Sequence, residues 1–266
     1  MNIEKDIGKA ADASRDGERL QSVLSHRGVC SRRRAAEIIA SGAVQVNGKT
    51  VLERGFRVDP AKDRISVNGK MLSKDVEEHH TVLLYKPRGI LSSADNSRGE
   101  TVCDLLKKDF PQRLVPVGRL DKETEGLLLL SNDGEFCKLM THPRYGCKKT
   151  YFVRVAGRYT EEKIATLRSR MDIDGYIIRP VTVEVLKIGR DNVHKLSFTL
   201  AEGRNRQIRK MCAQVGFTVL QLKRMRIGTL HIGEMKPGDW RELPQADVET
   251  LKRRARAIAA KSAGDR

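Results

Sequence analysis

The chain has 266 residues, with 51 Lys and Arg against 34 Asp and Glu, a formal net charge of +17. Hydrophobic residues make up 39%, enough for a core, yet no apolar run approaches the roughly 18 residues of a membrane span, which excludes a helical membrane protein. The charge makes nucleic acid the leading partner and a membrane surface the weaker one. Aromatics at 5% argue against a continuous stacking platform for single strands. The segment from Met1 to Gly17 is polar and lacks a signal-peptide stretch. The five cysteines (Cys30, Cys103, Cys137, Cys147, Cys212) form no Cys-x-x-Cys pair, so reduced thiols of a cytoplasmic protein are expected.

Residues 1–16 read as a flexible tail. Leu20, Val23 and Leu24 have helical spacing, and Gly28 breaks it. Ser31 is a good N-cap for a second helix carrying Ala35, Ile38 and Ile39. After Gly42, Val44 and Val46 alternate into Asn47-Gly48, a strong hairpin turn, and Val51 resumes. Arg32, Arg33 and Arg34 load the first turn of the second helix, where cations oppose the helix dipole. A solvated charge run is one reading of them; a phosphate grip at a helix start is the other.

Residues 65–80 read as the end of this unit plus a linker. A larger domain is expected over 81–245. Val82 to Tyr85 form a strand stopped by Lys86-Pro87-Arg88-Gly89, and Val115–Val117 and Leu127–Leu130 flank the polar loop Gly118 to Gly126. Asn132-Asp133-Gly134 leads into a helix with Phe136, Leu139 and Met140. Tyr151, Val153 and Val155 mark a strand, and Ile164, Leu167 and Met171 a helix. Val181, Val183 and Val185 alternate, as do Leu196, Phe198 and Leu200. Ile208, Met211, Cys212 and Val215 form one helical face, with Asn205 as a plausible N-cap. Residues 246–266 read as a basic helix with Leu251 and Ile258, ending in a tail. The fold class is therefore α+β: a helix-helix-hairpin unit, then a mixed, largely antiparallel sheet with flanking helices.

Three places could carry chemistry. Asp121 is one acid in a glycine-bounded loop, with Arg119 and Lys122 beside it; a turn residue and an ionised nucleophile are both open. Arg204, Arg206, Arg209 and Lys210 crowd another helix start, either as a solvated face or facing phosphate. Tyr151 is either a core tyrosine or a ring that stacks on a base. The six histidines show no ligand or triad spacing, and there is no Gly-x-Gly-x-x-Gly, so no metal and no cofactor are expected.

Arg19 to Leu24, Gly28 to Arg33 and Gly42 to Gly48 resemble the small RNA-binding domain named after ribosomal small-subunit protein S4, over 17–64. Gly118-Arg119-Leu120-Asp121 with Thr124 and Gly126 to Gly134 resembles the signature of ribosomal RNA pseudouridine synthases of the RsuA/RluB branch. Lys86 to Gly89, Lys149-Thr150-Tyr151 and Glu202 to Arg209 match further blocks in order. The resemblance implies isomerisation of a uridine in ribosomal RNA, with the base detached, turned and rejoined through carbon 5. By it, Asp121 starts the reaction and Tyr151 stacks on the target base. Arg209 pairs with Asp121, Arg119 fills the space of the extruded nucleotide, and Ile227 or Leu230 walls the pocket. Arg32, Arg33, Arg34, Lys86, Arg204, Arg206 and Lys210 bind RNA. Large-subunit RNA is favoured over small-subunit RNA, and the enzyme is expected as a monomer acting within a pre-ribosomal particle. A non-catalytic assembly factor that kept the fold and a DNA-binding regulator are the competing readings.

Overall fold

A computed structural model describes residues 17–73, 78–110 and 112–264, and its contacts divide the chain into two units, 1–78 and 79–266. The tail expected over 1–16 lies outside the described residues.

The first unit contains β1 (Glu18–Arg19), α1 (Leu20–His26), α2 (Arg32–Ala40), β2 (Val44–Val46), β3 (Lys49–Thr50), β4 (Arg57–Val58), β5 (Ile65–Val67) and β6 (Lys70–Met71). Ser31 caps α2, its hydroxyl accepting the Arg34 amide at 3.2 Å. Asn47 and Gly48 both take left-handed φ, 52° and 81°, the pair a two-residue hairpin needs. Leu20, Val23 and Leu24 of α1, Ala35 and Ile39 of α2, and Val44 and Val46 of β2 form one core. The linker expected from residue 65 is instead sheet as far as Met71. Ile65 pairs with Val46 and Lys70 with Val67, giving the strand order β3-β2-β5-β6. The strands are two or three residues long around a second left-handed turn, Asn68-Gly69, too short for alternation to mark them. Residues 74–77 lie outside the described residues.

The second unit runs through β7 (Thr81–Lys86), α3 (Val102–Leu106), β8 (Val115–Val117), β9 (Glu125–Ser131), α4 (Gly134–Thr141), β10 (Lys149–Ala156) and α5 (Glu161–Arg168). A small hairpin follows, β11 (Asp172–Ile173) and β12 (Tyr176–Ile177), then β13 (Thr182–Ile188), β14 (Val193–Leu200) and α6 (Gln207–Gln214). It ends in β15 (Thr218–Ile227), β16 (Leu230–His231), β17 (Trp240–Glu242) and α7 (Gln245–Gly264). Among the described residues the sheet has nine strands, ordered β13-β14-β10-β15-β9-β7-β17, with β8 against β9 and β16 against β15. Each neighbouring pair in it is antiparallel except β9 with β15.

The apolar runs of β7 and β9 follow from burial on both faces. Leu83, Leu127 and Leu129 pack with Phe136, Leu139 and Met140 of α4 and Leu251 of α7. Val82, Leu84, Leu128 and Leu130 pack on the other side with Val102 and Leu106 of α3. Each fully buried leucine contributes about 2 kcal/mol, so this pair of strands is the rigid centre of the unit. The other half of the sheet packs Val153, Val155, Leu196 and Phe198 against Ile164 and Leu167 of α5 and Ile208 and Met211 of α6. Met171, expected on α5, lies beyond its end but is still buried in that core. The C-terminal tail is helical to Gly264. Val248, Leu251 and Ala255 are buried there, while Ile258 is exposed rather than part of that face. Lys252 is buried against Asp133 at 2.7 Å. Burial alone would raise the Asp133 carboxyl; the Lys252 and Phe136 hydrogen bonds outweigh it and hold the carboxyl below its ordinary value.

Candidate active site

Asp121 sits on the loop between β8 and β9, where the two strands pair with Val117 opposite Leu129. The loop is clamped on either side of it. The Ser92 hydroxyl donates to the Leu120 carbonyl at 2.9 Å and accepts the Leu120 amide at 3.1 Å. The Gly89 amide donates to the Lys122 carbonyl at 2.8 Å, and Arg88 pairs with Glu123 at 3.2 Å. The Lys86 ammonium reaches three carbonyls, of Pro87 at 2.8 Å, Lys122 at 3.2 Å and Thr124 at 2.9 Å. Asp121 itself keeps a side chain 34% exposed. A carboxylate on a loop whose neighbours are all held is preorganised for one geometry.

Lys86 is therefore not an RNA-binding cation. It is fully buried, at the end of a strand buried along its whole length, and all three of its protons are used inside the protein. Burial pushes its ammonium down to about 8, partly opposed by Glu123 and Asp121.

Asp121 opens onto a cleft of about 170 Å³, lined also by Arg119, Tyr151, Arg204, Arg206, Gln207, Arg224 and Ile227. The structure thus brings Asp121 and Tyr151, thirty residues apart, to one cavity. Tyr151 leads into the cleft from β10, directly opposite Arg224 of β15, at a register shift between Thr150 and Tyr151. Arg224 donates from Nε to the Leu127 carbonyl at 2.6 Å and from Nη1 to the Tyr151 hydroxyl at 3.4 Å. Sequence reasoning passed over Arg224, because a basic residue in a basic strand carries no sign of being 4% exposed.

The loop 203–206 and the start of α6 form the facing wall. Asn205 does not cap α6. The cap position is Arg206, which adopts left-handed φ, 52°, and makes no side-chain cap bond. A left-handed non-glycine residue costs about 1 kcal/mol. Gln207 holds the turn, its Oε1 accepting the Arg204 amide at 3.1 Å. The strained turn places the Arg206 guanidinium 3.9 Å from the Asp121 carboxylate. This ion pair was expected from Arg209. Arg209 instead donates to the Val219 carbonyl at 3.5 Å, and its Nε is buried without a partner. Its pKa is lowered by burial and by Arg206, with Asp121 acting in the opposite sense, so it feels the carboxylate without touching it. Of the two expected wall residues, Ile227 lines the cleft, whereas Leu230 lies in the core with Leu127 and Leu251. Lys210 points elsewhere and pairs with Asp174.

Three buried cleft-lining residues carry polar atoms with no protein partner: Thr124 Oγ1, Gln207 Nε2 and Arg224 Nη2. All three atoms have almost no accessible surface, so they lie behind the cleft lining rather than open to it. In the first unit, Arg32 and Arg33 are exposed at the start of α2, while Arg34 is tied to Glu37 at 2.8 Å.

Comparison with known proteins gives the family. Residues 80–214 match the family described as RNA pseudouridylate synthase, and residues 18–65 match the S4 domain. A protein of Bacillus subtilis named ribosomal large subunit pseudouridine synthase B is 41% identical over 88% of this chain and 96% of its own length. A Pseudomonas aeruginosa protein of the same name is 36% identical over 88% of this chain and 62% of its own. A solved structure titled as a pseudouridylate synthase superposes with a TM-score of 0.63, at 28% identity, covering 88% of this chain and 99% of that one.

Proposed function

This chain belongs to the RNA pseudouridylate synthase family, with an S4 domain in front, and from that premise we propose that it isomerises a uridine of large-subunit ribosomal RNA at the Asp121 cleft. The observation that carries the reading is the meeting of Asp121, Tyr151 and Arg206 in one cavity.

The reaction breaks the glycosidic bond between base N1 and the sugar and forms a bond from base carbon 5 to the same sugar carbon. The carbon 5 proton leaves and N1 gains one, so the reaction is balanced without an oxidant, a reductant or a leaving group. Asp121 starts it as nucleophile or base, with the Arg206 guanidinium 3.9 Å from its carboxylate. Tyr151 offers a ring for the everted base to stack on, and stacking offsets the few kcal/mol that eversion costs. Arg119 and Arg204 are both exposed at the cleft; Arg119 fills the space left by the everted nucleotide and Arg204 holds a flanking phosphate.

The experiment is tritium release from unmodified large-subunit ribosomal RNA labelled at uridine carbon 5. Asp121→Asn should abolish release, a loss of at least about 10²–10⁴-fold for a removed base or nucleophile, while RNA affinity stays close to wild type. A variant that still releases tritium at the normal rate would sink the assignment. Release by the wild type from small-subunit RNA alone would redirect the substrate.

A further inference from the structure

An exposed tyrosine lies beside the cleft wall, outside the catalytic cavity. Tyr176 opens β12 of the small hairpin and is 39% exposed, and its neighbour Ile177 is 64% exposed. One face of its ring is occupied by Arg204, whose guanidinium carbon stands 3.0 Å from the ring centroid. Arg204 also lines the Asp121 cleft. One arginine is therefore shared between the cavity and an aromatic ring outside it.

The hairpin that carries this ring is firmly held. Asp174 and Gly175 make its turn with left-handed φ of 55° and 74°. Ile173 and Ile178, on either side, are 3% and 1% exposed in the core. Helix α6 grips it at two points: Lys210 pairs with Asp174, and Gln214 Nε2 donates to the Asp172 carbonyl at 2.7 Å. Beyond the hairpin, the Arg179 amide donates to Glu202 Oε1 at 3.1 Å, and Glu202 is itself part of the cleft wall. The core thus fixes a hairpin that, beyond its exposed Asp172 and its polar Asp174-Gly175 turn, presents an aromatic ring and an isoleucine to solvent.

We propose that Tyr176 and Arg204 form a second base-binding site, taking an unpaired nucleobase of the substrate RNA outside the catalytic cavity. This rests on the reading that the cleft takes an everted uridine of RNA. The chemistry is that of single-strand recognition: a nucleobase stacks on an aromatic ring or a guanidinium plane, and a cation beside the ring meets the phosphate. A chain with net charge +17 supplies the background attraction. The continuity through Arg204 commits the occupant to the same strand that enters the cleft, not to an unrelated peptide or lipid. Stacking needs only the ring, so the phenol hydroxyl is dispensable.

The test measures affinity of the full chain for unmodified large-subunit ribosomal RNA by filter binding across a salt series. Tyr176→Ala should weaken binding roughly ten-fold, in the range of a lost base stack, with the salt slope unchanged. Tyr176→Phe and Tyr176→Trp should bind within two-fold of wild type. Tyr176→Leu should bind as weakly as the alanine variant, since it keeps apolar bulk without a flat π face. An alanine variant within two-fold of wild type overturns the proposal. So does a leucine variant that restores binding, which would make the ring a mere prop for Arg204. Tritium release separates the two readings. If wild type releases none, the catalytic assignment fails whatever Tyr176 does; if it releases normally and Tyr176→Ala binds normally, only the second site fails.

Discussion

Gly126 and Arg224 face each other across the one parallel seam of the catalytic sheet, at a separation no side chain allows. A Cβ on Gly126 would lie 2.3 Å from the Arg224 carbonyl oxygen and 2.6 Å from its amide nitrogen. Gly126 also has φ of 106°, outside the range of ordinary L-residues. Close approach here lets Arg224 reach the Leu127 carbonyl and the Tyr151 hydroxyl. The second residue of β9, just after the Asp121 loop, thereby lies against Arg224, which lines the cleft.

Gly126→Ala should therefore cost more than the usual glycine substitution. The clash is with the Arg224 backbone on the neighbouring strand, and neither strand can yield because both belong to the sheet core. We expect a loss of about 3 kcal/mol or more, read by urea unfolding, together with a drop in tritium release. Gly48→Ala, at a left-handed turn with open space around it, is the control. It should cost about 1 kcal/mol and leave catalysis unchanged.

Lys86 predicts a pH dependence. Its pKa is about 8 in the fold against an ordinary 10.5. Between these values the unfolded chain holds a proton that the folded chain has released, so this residue makes stability rise with pH from about 8 to 10.5. Below pH 8 the charged form is present in both states and the contribution is level. Catalysis should move the other way. A neutral amine has two protons for three carbonyls, so the Asp121 loop loosens and kcat falls above about pH 8. Lys86→Met, which leaves the carbonyls unpaired, should lose about 1–3 kcal/mol and most activity, and should abolish the alkaline rise in stability. Unfolding curves at pH 7.5 and 9.5 decide it; an equal alkaline rise in the methionine variant would contradict the assignment.

At the front unit, Arg32 and Arg33 are exposed and Arg34 is engaged by Glu37. Arg32→Glu with Arg33→Glu should weaken RNA binding and flatten its salt dependence by roughly 0.7–0.9 in log–log slope for each phosphate no longer neutralised. Arg34→Glu alone should do less. Filter binding at several salt concentrations, with circular dichroism to check folding, is the measurement. An unchanged slope would remove the phosphate role from α2.

Much of this fold is legible in the sequence, for identifiable reasons. The runs at β7 and β9 announce strands buried on both faces, and the glycines at 118 and 126 bracket the Asp121 loop. What stays hidden are cations with unexpected surroundings. Lys86 looks like a surface lysine at the end of a strand, yet the burial of all six residues of that strand carries it inside. Strand β15 escapes a periodicity reading because Lys223, Arg224 and Arg226 break its apolar alternation, and burial of Arg224 needs partners that lie far off in sequence. The Asn205 cap fails because Arg206 takes the strained position in its place. The hairpin holding Tyr176 is marked by Asp174-Gly175, but two-residue strands give no periodicity to confirm it.

The parallel seam between β9 and β15 also bears on how the enzyme comes into being. Hairpin neighbours such as β13 with β14 and β15 with β16 can zip from nearby sequence, whereas Glu125 must wait for Lys223, almost a hundred residues downstream. Long-range closure of this kind is slow relative to local pairing. The carboxylate and the ring therefore meet late, after most of the polypeptide has been made, and a chain that stops short of β15 lacks the strand that joins their two halves of the sheet.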